Sequence, residues 1–359
     1  MSKKIIFSAG GTGGHIFPAV NLMEHFLNKG YEVLLVTDTR GNNFIKKNLK
    51  FRSCIIKAGT PTNKSIFKRL LSFFIIFYSI IKAIIILKKE RPDLIFGFGG
   101  YVSFPISFAS KFFKLPLIIY ENNMILGRTN KYLSSYSKKI LIAKKITEDF
   151  PEKYRSKTYE VGEILNKNII NYSNSEKNYN SENFSILVLG GSQGAEIFGS
   201  VVPPAISKIK KAGYEIEIKQ QCVRSQKNEI INFYKQNNIK NYVFEFDQDI
   251  LKLISSSSLA ITRCGASTTA ELAYTFTPFI AVPLPNSIDN HQYLNAKYYS
   301  DRGRCWLLEQ KVFNSENLFN LVVDVIKNKN KLKDISENLK KDYRRDVYSD
   351  IESKIKEII

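Results

Sequence analysis

Short runs of consecutive apolar residues punctuate this chain, and between them apolar positions recur at helical spacing. In the first half the runs cover 4–9, 32–37, 94–97, 116–121 and 139–143. In the second half they cover 184–190, 215–220, 241–246, 258–263, 279–284 and 305–309. A continuous apolar run bounded by turn residues predicts a strand buried on both faces. Between the first two runs, Ala19, Val20, Met23, Phe26 and Leu27 fall on one helix face, and Gly30 closes the helix. Strands alternating with helices predict parallel sheets covered on both sides. Each half therefore reads as one doubly wound α/β unit.

The boundary between the halves shows as a change in composition. Residues 166–183, NKNIINYSNSEKNYNSEN, are rich in Asn and Ser and carry no periodicity. Such a stretch cannot bury enough apolar surface to offset its ordering entropy. The expected division is an N-terminal domain over 1–163 and a C-terminal domain over 164–341. Residues 332–359 carry a charged helical pattern.

The segment 64–91, KSIFKRLLSFFIIFYSIIKAIIILKKER, stands apart. Its apolar stretch, 70–87, approaches the length of a membrane span. Lys82 would be costly inside a bilayer, and the segment sits where the strands need a covering helix. Lys64, Lys68 and Arg69 precede the stretch; Lys88, Lys89 and Arg91 follow it. The pattern predicts a core helix with an exposed apolar patch and a basic rim, docking on an anionic leaflet. A spanning helix and a wholly buried helix are the alternatives.

Charge then narrows the partner. Lys and Arg outnumber Asp and Glu by 53 to 33, a surplus of +20. A surplus of that size calls for nucleic acid, anionic lipid or a phosphorylated substrate; a simple Lys- and Asn-rich composition is the plainer alternative. No RNP, KH or Cys/His zinc signature is present, so no nucleic-acid partner is expected. Cys54, Cys222, Cys264 and Cys305 are scattered without a CxxC pair, which suggests neither a zinc site nor a disulfide framework. The apolar run at the N-terminus is too short for a signal peptide and ends in glycines, so a cytoplasmic catalytic body is expected.

Two glycine-rich turns carry the first chemical signal. One strand runs into Gly10-Gly11-Thr12-Gly13-Gly14-His15, the other into Gly190-Gly191-Ser192-Gln193-Gly194-Ala195. Glycine lets the backbone turn sharply and approach a ligand, and the helix N-terminus beyond offers N–H groups and partial positive charge to an anion. Neither loop fits G-x-G-x-x-G/A, although Asp38 lies where a ribose-binding acid of a dehydrogenase would sit, and neither contains G-K-[ST].

Seven segments, in order along the chain, resemble the MurG family, the transferases that convert lipid I to lipid II in peptidoglycan synthesis. They are GGTGGH at 10–15, GGYVSFP at 99–105, ENN at 121–123, TNK at 129–131, GGSQGA at 190–195, RCGASTTAE at 263–271 and DNHQYLNA at 289–296. The resemblance implies a GT-B fold, two Rossmann-like doubly wound parallel-sheet domains facing a cleft. It implies that the C-terminal domain holds UDP-N-acetylglucosamine (UDP-GlcNAc) and the N-terminal domain the acceptor. It also implies that the last helix, 342–359, crosses back onto the first domain.

Carried over residue by residue, the resemblance sets Ser192, Gln193 and Gly194 against the diphosphate. Ala266, Ser267, Thr268 and Thr269 lie beside the uridine and sugar, and Glu271 on the ribose hydroxyls. His291 and Gln292 reach the GlcNAc hydroxyls. Thr12, Gly13, Gly14, His15 and Asn123 close over the sugar and the acceptor. A carboxylate suits a diol and an amide suits a sugar, because the one accepts twice and the other both donates and accepts. Two positions depart from the family. Asn166 stands where an Arg follows N-P-x at the domain junction, and Asp247 stands where an apolar residue packs on the uracil.

The implied reaction is inverting transfer of GlcNAc from UDP-GlcNAc to the MurNAc 4-hydroxyl of undecaprenyl-linked lipid I. The implied setting is the cytoplasmic face of the inner membrane, as a peripheral protein, with the anionic membrane surface and other cell-wall synthesis proteins as partners. No cofactor is implied, and no essential metal ion is expected. The acceptor hydroxyl needs a general base. His15 suits by its unperturbed pKa of about 6.5; Glu121, at a strand's carboxyl end, competes with it. Another GT-B UDP-sugar transferase or a UDP-GlcNAc epimerase, sharing the nucleotide site, is the alternative function.

Overall fold

A computed structural model describes residues 2–45, 51–59, 66–146, 150–173, 184–191, 195–341 and 346–359. The chain forms two compact units, Met1–Asn166 with Arg344–Ile359, and Lys167–Tyr343.

Unit 1 contains β1 (Lys4–Ser8), α1 (Gly13–Asn28), β2 (Glu32–Thr37), α2 (Thr39–Ile45), β3 (Arg52–Ile55), α3 (Ile66–Glu90), β4 (Leu94–Gly97), α4 (Gly100–Ala109), β5 (Leu117–Glu121), α5 (Arg128–Leu133), β6 (Lys139–Ile142) and β7 (Thr158–Glu160). Its strands pair in parallel in the order β3-β2-β1-β4-β5-β6-β7. Side chains alternate across the sheet as the two-residue strand period requires. Ile5 and Phe7 pack with Ile16 and Phe26 of α1 on one face. Ile6 packs with Ala83 and Leu87 of α3 and Ile106 of α4 on the other.

Unit 2 contains α6 (Ile170–Ser173), β8 (Phe184–Leu189), α7 (Glu196–Lys211), β9 (Ile216–Gln221), α8 (Lys227–Gln236), β10 (Lys240–Phe244), α9 (Ile250–Ser255), β11 (Leu259–Thr262), α10 (Ala266–Tyr274), β12 (Phe279–Ala281), α11 (His291–Ser300), β13 (Trp306–Leu307), α12 (Ser315–Lys327) and α13 (Lys329–Lys340). Its sheet is parallel in the order β10-β9-β8-β11-β12-β13. The strand order reverses between β1 and β4 in unit 1, and between β8 and β11 in unit 2. In such sheets ligands lie beyond the carboxyl ends of the strands at that reversal. Both glycine-rich turns are there.

The final helix, α14 (Val347–Lys356), belongs to unit 1. Val347, Ile351 and Ile355, spaced one helical turn apart, are buried in the cluster that holds Phe7 and Phe26. Glu352 fixes its orientation. Its carboxylate meets Lys356 Nζ at 2.7 Å and His25 Nε2 at 3.2 Å. Those hydrogen bonds, Lys356 foremost, draw the Glu352 carboxyl down to about 2 against the opposing effect of burial.

Helix α3 has two different sides. Ser72, Ser79, Ala83 and Leu87 are buried, Ser79 Oγ donates to Lys57 O at 2.7 Å, and Lys82 Nζ to Ile55 O at 2.8 Å. These bonds knit the helix to the segment after β3. Phe74, Phe77, Ile81 and Ile85 form an exposed stripe, with Phe74 70% and Phe77 65% accessible. A wholly buried helix is excluded by that stripe. The rim residue Lys64 lies outside the described residues.

Candidate functional site

In unit 1 the first glycine turn is held by its neighbours. Asp38, just past β2, accepts from Gly11 N at 3.2 Å and Gly41 N at 2.8 Å through one oxygen. The acid that hinted at a dinucleotide ribose is therefore a loop staple. A β-carbon on Gly10 would lie 2.7 Å from Val102 of α4, so only glycine lets the turn approach that helix. Thr12 is the N-cap of α1, and its side chain caps no helix N–H. Gly13 and Gly14 open the helix, at the end carrying its partial positive charge.

His15, half-buried, stands in the first turn of α1. It lies against the start of α4: a β-carbon on Gly100 would come within 3.3 Å of His15 Cδ2 and 3.5 Å of Nε2. Gly100 has φ +72°, where a side chain would also strain the backbone. Two helix starts thus converge on one imidazole.

The competing candidate, Glu121, is engaged on both carboxylate oxygens. Glu121 is 2% exposed at the end of β5. One oxygen accepts from Asn123 N at 3.1 Å and Asn123 Nδ2 at 3.0 Å; the other accepts from Gly127 N at 2.9 Å and Asn130 Nδ2 at 3.0 Å. Four donors occupy its lone pairs, and it organises the turn 122–130. Asn123 serves that turn as well. Glu121→Gln is expected to lower activity by loosening the turn while leaving the acid limb of the pH–rate profile in place; a displaced acid limb would restore Glu121 as the base.

Unit 2 repeats the design of unit 1. Gly191 has φ +81°, as does Gly11. Gln221, at the end of β9, accepts from Gly190 N at 3.0 Å, the counterpart of Asp38 on Gly11. Sequence reasoning missed both staples; the signal was a polar residue closing the strand beside each glycine turn. Ser192, Gln193 and Gly194 lie outside the described residues.

At the next strand end, α10 begins at Ala266 with Gly265 as its N-cap and no side-chain cap. Ser267 and Thr268 are half-buried in its first turn, whereas the Thr269 hydroxyl is buried and donates to Ala266 O and Gly265 O. Thr269 therefore shapes the helix start, with its hydroxyl proton committed to the backbone. Glu271, one turn on, is half-buried, and its carboxylate has no hydrogen-bond partner among the described residues. Burial pushes its carboxyl up to about 7. A solvated helix glutamate would behave otherwise.

Gln292 is committed on one side. Its Oε1 accepts from Cys264 N at 3.2 Å and Leu284 N at 3.0 Å, linking the ends of β11 and β12. Only its amide N–H groups remain for a ligand, so it can donate to a sugar but not accept. His291 Nδ1 lies 2.7 Å from Ile288 O. Just before it, Asp289 and Asn290 are both left-handed, at φ +52° and +55°, a strained turn that sets the start of α11.

Arg263 adds a fixed charge below these loops. Its guanidinium is buried and donates to Val282 O, Pro283 O and Gln310 Oε1 at 3.1, 3.2 and 2.6 Å. These partners are neutral and the guanidinium also lies over the Phe198 ring; among the described residues no carboxylate pairs with it, so its charge favours a nearby anion. Asp247, suspected of disturbing a base pocket, is occupied: Oδ2 takes the Tyr242 hydroxyl at 2.7 Å and Oδ1 takes Asp249 N at 2.7 Å. The exposed apolar side chain there is Phe246. Asn166 is exposed, the last residue of unit 1 before the crossing.

Two family models match the chain: the glycosyltransferase family 28 N-terminal domain over residues 5–142, and the family 28 C-terminal domain over residues 185–351. A UDP-N-acetylglucosamine--N-acetylmuramyl-(pentapeptide) pyrophosphoryl-undecaprenol N-acetylglucosamine transferase from Pelagibacter ubique is 34% identical, covering 100% of this chain and 99% of its own. The protein of the same name from Rickettsia felis is 39% identical over 94% of this chain and 95% of its own. Among solved structures, MurG of Acinetobacter baumannii matches with a TM-score of 0.79 at 26% identity, covering 99% of each chain.

Proposed function

This chain belongs to glycosyltransferase family 28, and we propose that it transfers GlcNAc from UDP-GlcNAc to undecaprenyl-linked lipid I, giving lipid II and UDP. The observation that carries the donor side is the stretch from Arg263 to Gln292. It combines an uncapped helix start, a half-buried carboxylate without a cationic partner among the described residues, and an amide reduced to its donors. These suit a diphosphate, a ribose diol and a sugar oxygen in turn.

As the glycosidic bond breaks, negative charge grows on the leaving diphosphate. The starts of α7 and α10 and the buried Arg263 stabilise it with dipoles and charge fixed in advance. Glu271 accepts from the ribose hydroxyls. His15 takes the proton from the acceptor hydroxyl as that oxygen attacks the anomeric carbon. A single displacement of this kind inverts the anomeric centre. Thr12, Gly13, Gly14 and Asn123 line the acceptor side.

The protein works at a membrane surface from the cytoplasmic side. Unit 1 carries 31 Lys and Arg against 15 Asp and Glu, so +16 of the +20 lies in the unit that exposes the apolar stripe of α3. An apolar face with a surplus of positive charge favours an anionic leaflet. The test is transfer to lipid I in anionic vesicles and in detergent. The double variant Phe74→Ser/Phe77→Ser is expected to lose at least tenfold in vesicle-bound activity and little in detergent. Equal losses in both would remove the membrane role; no transfer by the unaltered protein in either would remove the function.

A further inference from the structure

We infer that an aromatic ladder on α4 and α5 is a subsite for the polyisoprenoid chain of the acceptor, a reading that rests on the lipid-linked acceptor proposed above. Phe104 and Phe108 stack at 5.5 Å and 14° on successive turns of α4. Phe108 meets Phe112 at 5.7 Å, in the 3₁₀ turn Ser110–Phe113 that continues the helix. Tyr132 of α5 meets Phe104 at 5.4 Å, and Tyr136 meets both Tyr132 and Phe108. The five rings form one continuous strip.

Its two ends give the strip its meaning. One end, Phe104, lies one helical turn beyond Gly100, where an added β-carbon would come within 3.3 Å of the His15 ring. The other end is open, with Phe112 62% accessible, and Tyr132, which flanks the strip beside Phe104, is 50% accessible. Alongside, α3, the helix that carries the exposed apolar stripe, packs on α4 and on the 3₁₀ turn. Helical rise gives about 12 Å from Phe104 to Phe112, room for two or three isoprene units. A branched, unsaturated hydrocarbon suits stacked ring faces, which present a broad apolar area at little cost in side-chain entropy. The substrate must join a polar reacting head to a hydrocarbon tail, and the ladder runs from the proton acceptor toward the apolar face.

Phe112→Ser and Tyr132→Ser test this, because both side chains are exposed and their loss leaves the core intact. Michaelis constants are measured in detergent for two acceptors with the same head group, one on a long polyprenyl chain and one on a short, water-soluble alkyl chain. Each variant should raise the constant at least fivefold for the long chain and stay within twofold for the short one. Binding to acceptor-free anionic vesicles should be unchanged. Equal effects on both acceptors, no effect on either, or a parallel loss of vesicle binding would overturn the ladder while leaving the transferase reading intact. Failure of the unaltered protein to transfer to either acceptor would overturn the transferase reading itself.

Discussion

Replacing His15 with Ala should lower turnover by about 10²–10⁴-fold, the range for loss of a general base, with the Michaelis constant for UDP-GlcNAc changed by less than about threefold. Glu121, the other candidate, is buried with four N–H donors on its two oxygens. His15 stands in the first turn of α1 against Gly100, on the reversal point of the sheet. An imidazole is a side chain that can take a proton near neutrality. The pH–rate profile of the unaltered protein should therefore show an acid limb, and His15→Ala should abolish it. A loss below tenfold with the limb intact would leave His15 a positioning group.

Glu271 should show two opposed effects in one side chain. Glu271→Ala should raise the Michaelis constant for UDP-GlcNAc by about 10–100-fold, the worth of hydrogen bonds to a charged group. Yet Glu271→Gln should make the nucleotide-free protein more stable at pH 8. Folding carries this carboxyl from its ordinary range near 4.5 to about 7. Below 4.5 both forms are protonated and burial costs no charge. Stability is lost as pH rises from 4.5 to 7, and the loss is complete above 7, at most about 3 kcal/mol. The variant should therefore melt above the unaltered protein at pH 8 and level with it at pH 4. Ribose hydroxyls donate to the ionised carboxylate, so affinity for UDP should also strengthen between pH 6 and 8. Equal melting at pH 8 together with an unchanged Michaelis constant would remove Glu271 from the site.

The central strands were legible because a strand buried on both faces must be a continuous apolar run. Ile5-Ile6-Phe7 and Ile186-Leu187-Val188 are fully buried and unmistakable. The edges were not. Strands β3 (Arg52–Ile55) and β7 (Thr158–Glu160) are short and half-exposed, so water tolerates polar residues there and no apolar run marks them. The predicted strand over 305–309 shrinks to Trp306–Leu307 at the other sheet edge for the same reason. At the site, the glycine turns announced themselves by composition. What each polar side chain does with its hydrogen bonds did not. Glu121 and Asp38 look like chemistry in sequence because a carboxylate at a strand end is rare in a core. Only the partners across the turn reveal them as staples. Gln292 commits its acceptor and Thr269 its donor to the backbone in the same way.

The most direct test of the whole account is product analysis after incubating the protein with UDP-GlcNAc, lipid I in anionic vesicles, and EDTA. Equimolar UDP and lipid carrying one added GlcNAc in the inverted, β configuration is the predicted result. Conversion of UDP-GlcNAc to an epimer, or sugar transfer to a free soluble acceptor as fast as to lipid I, would contradict it.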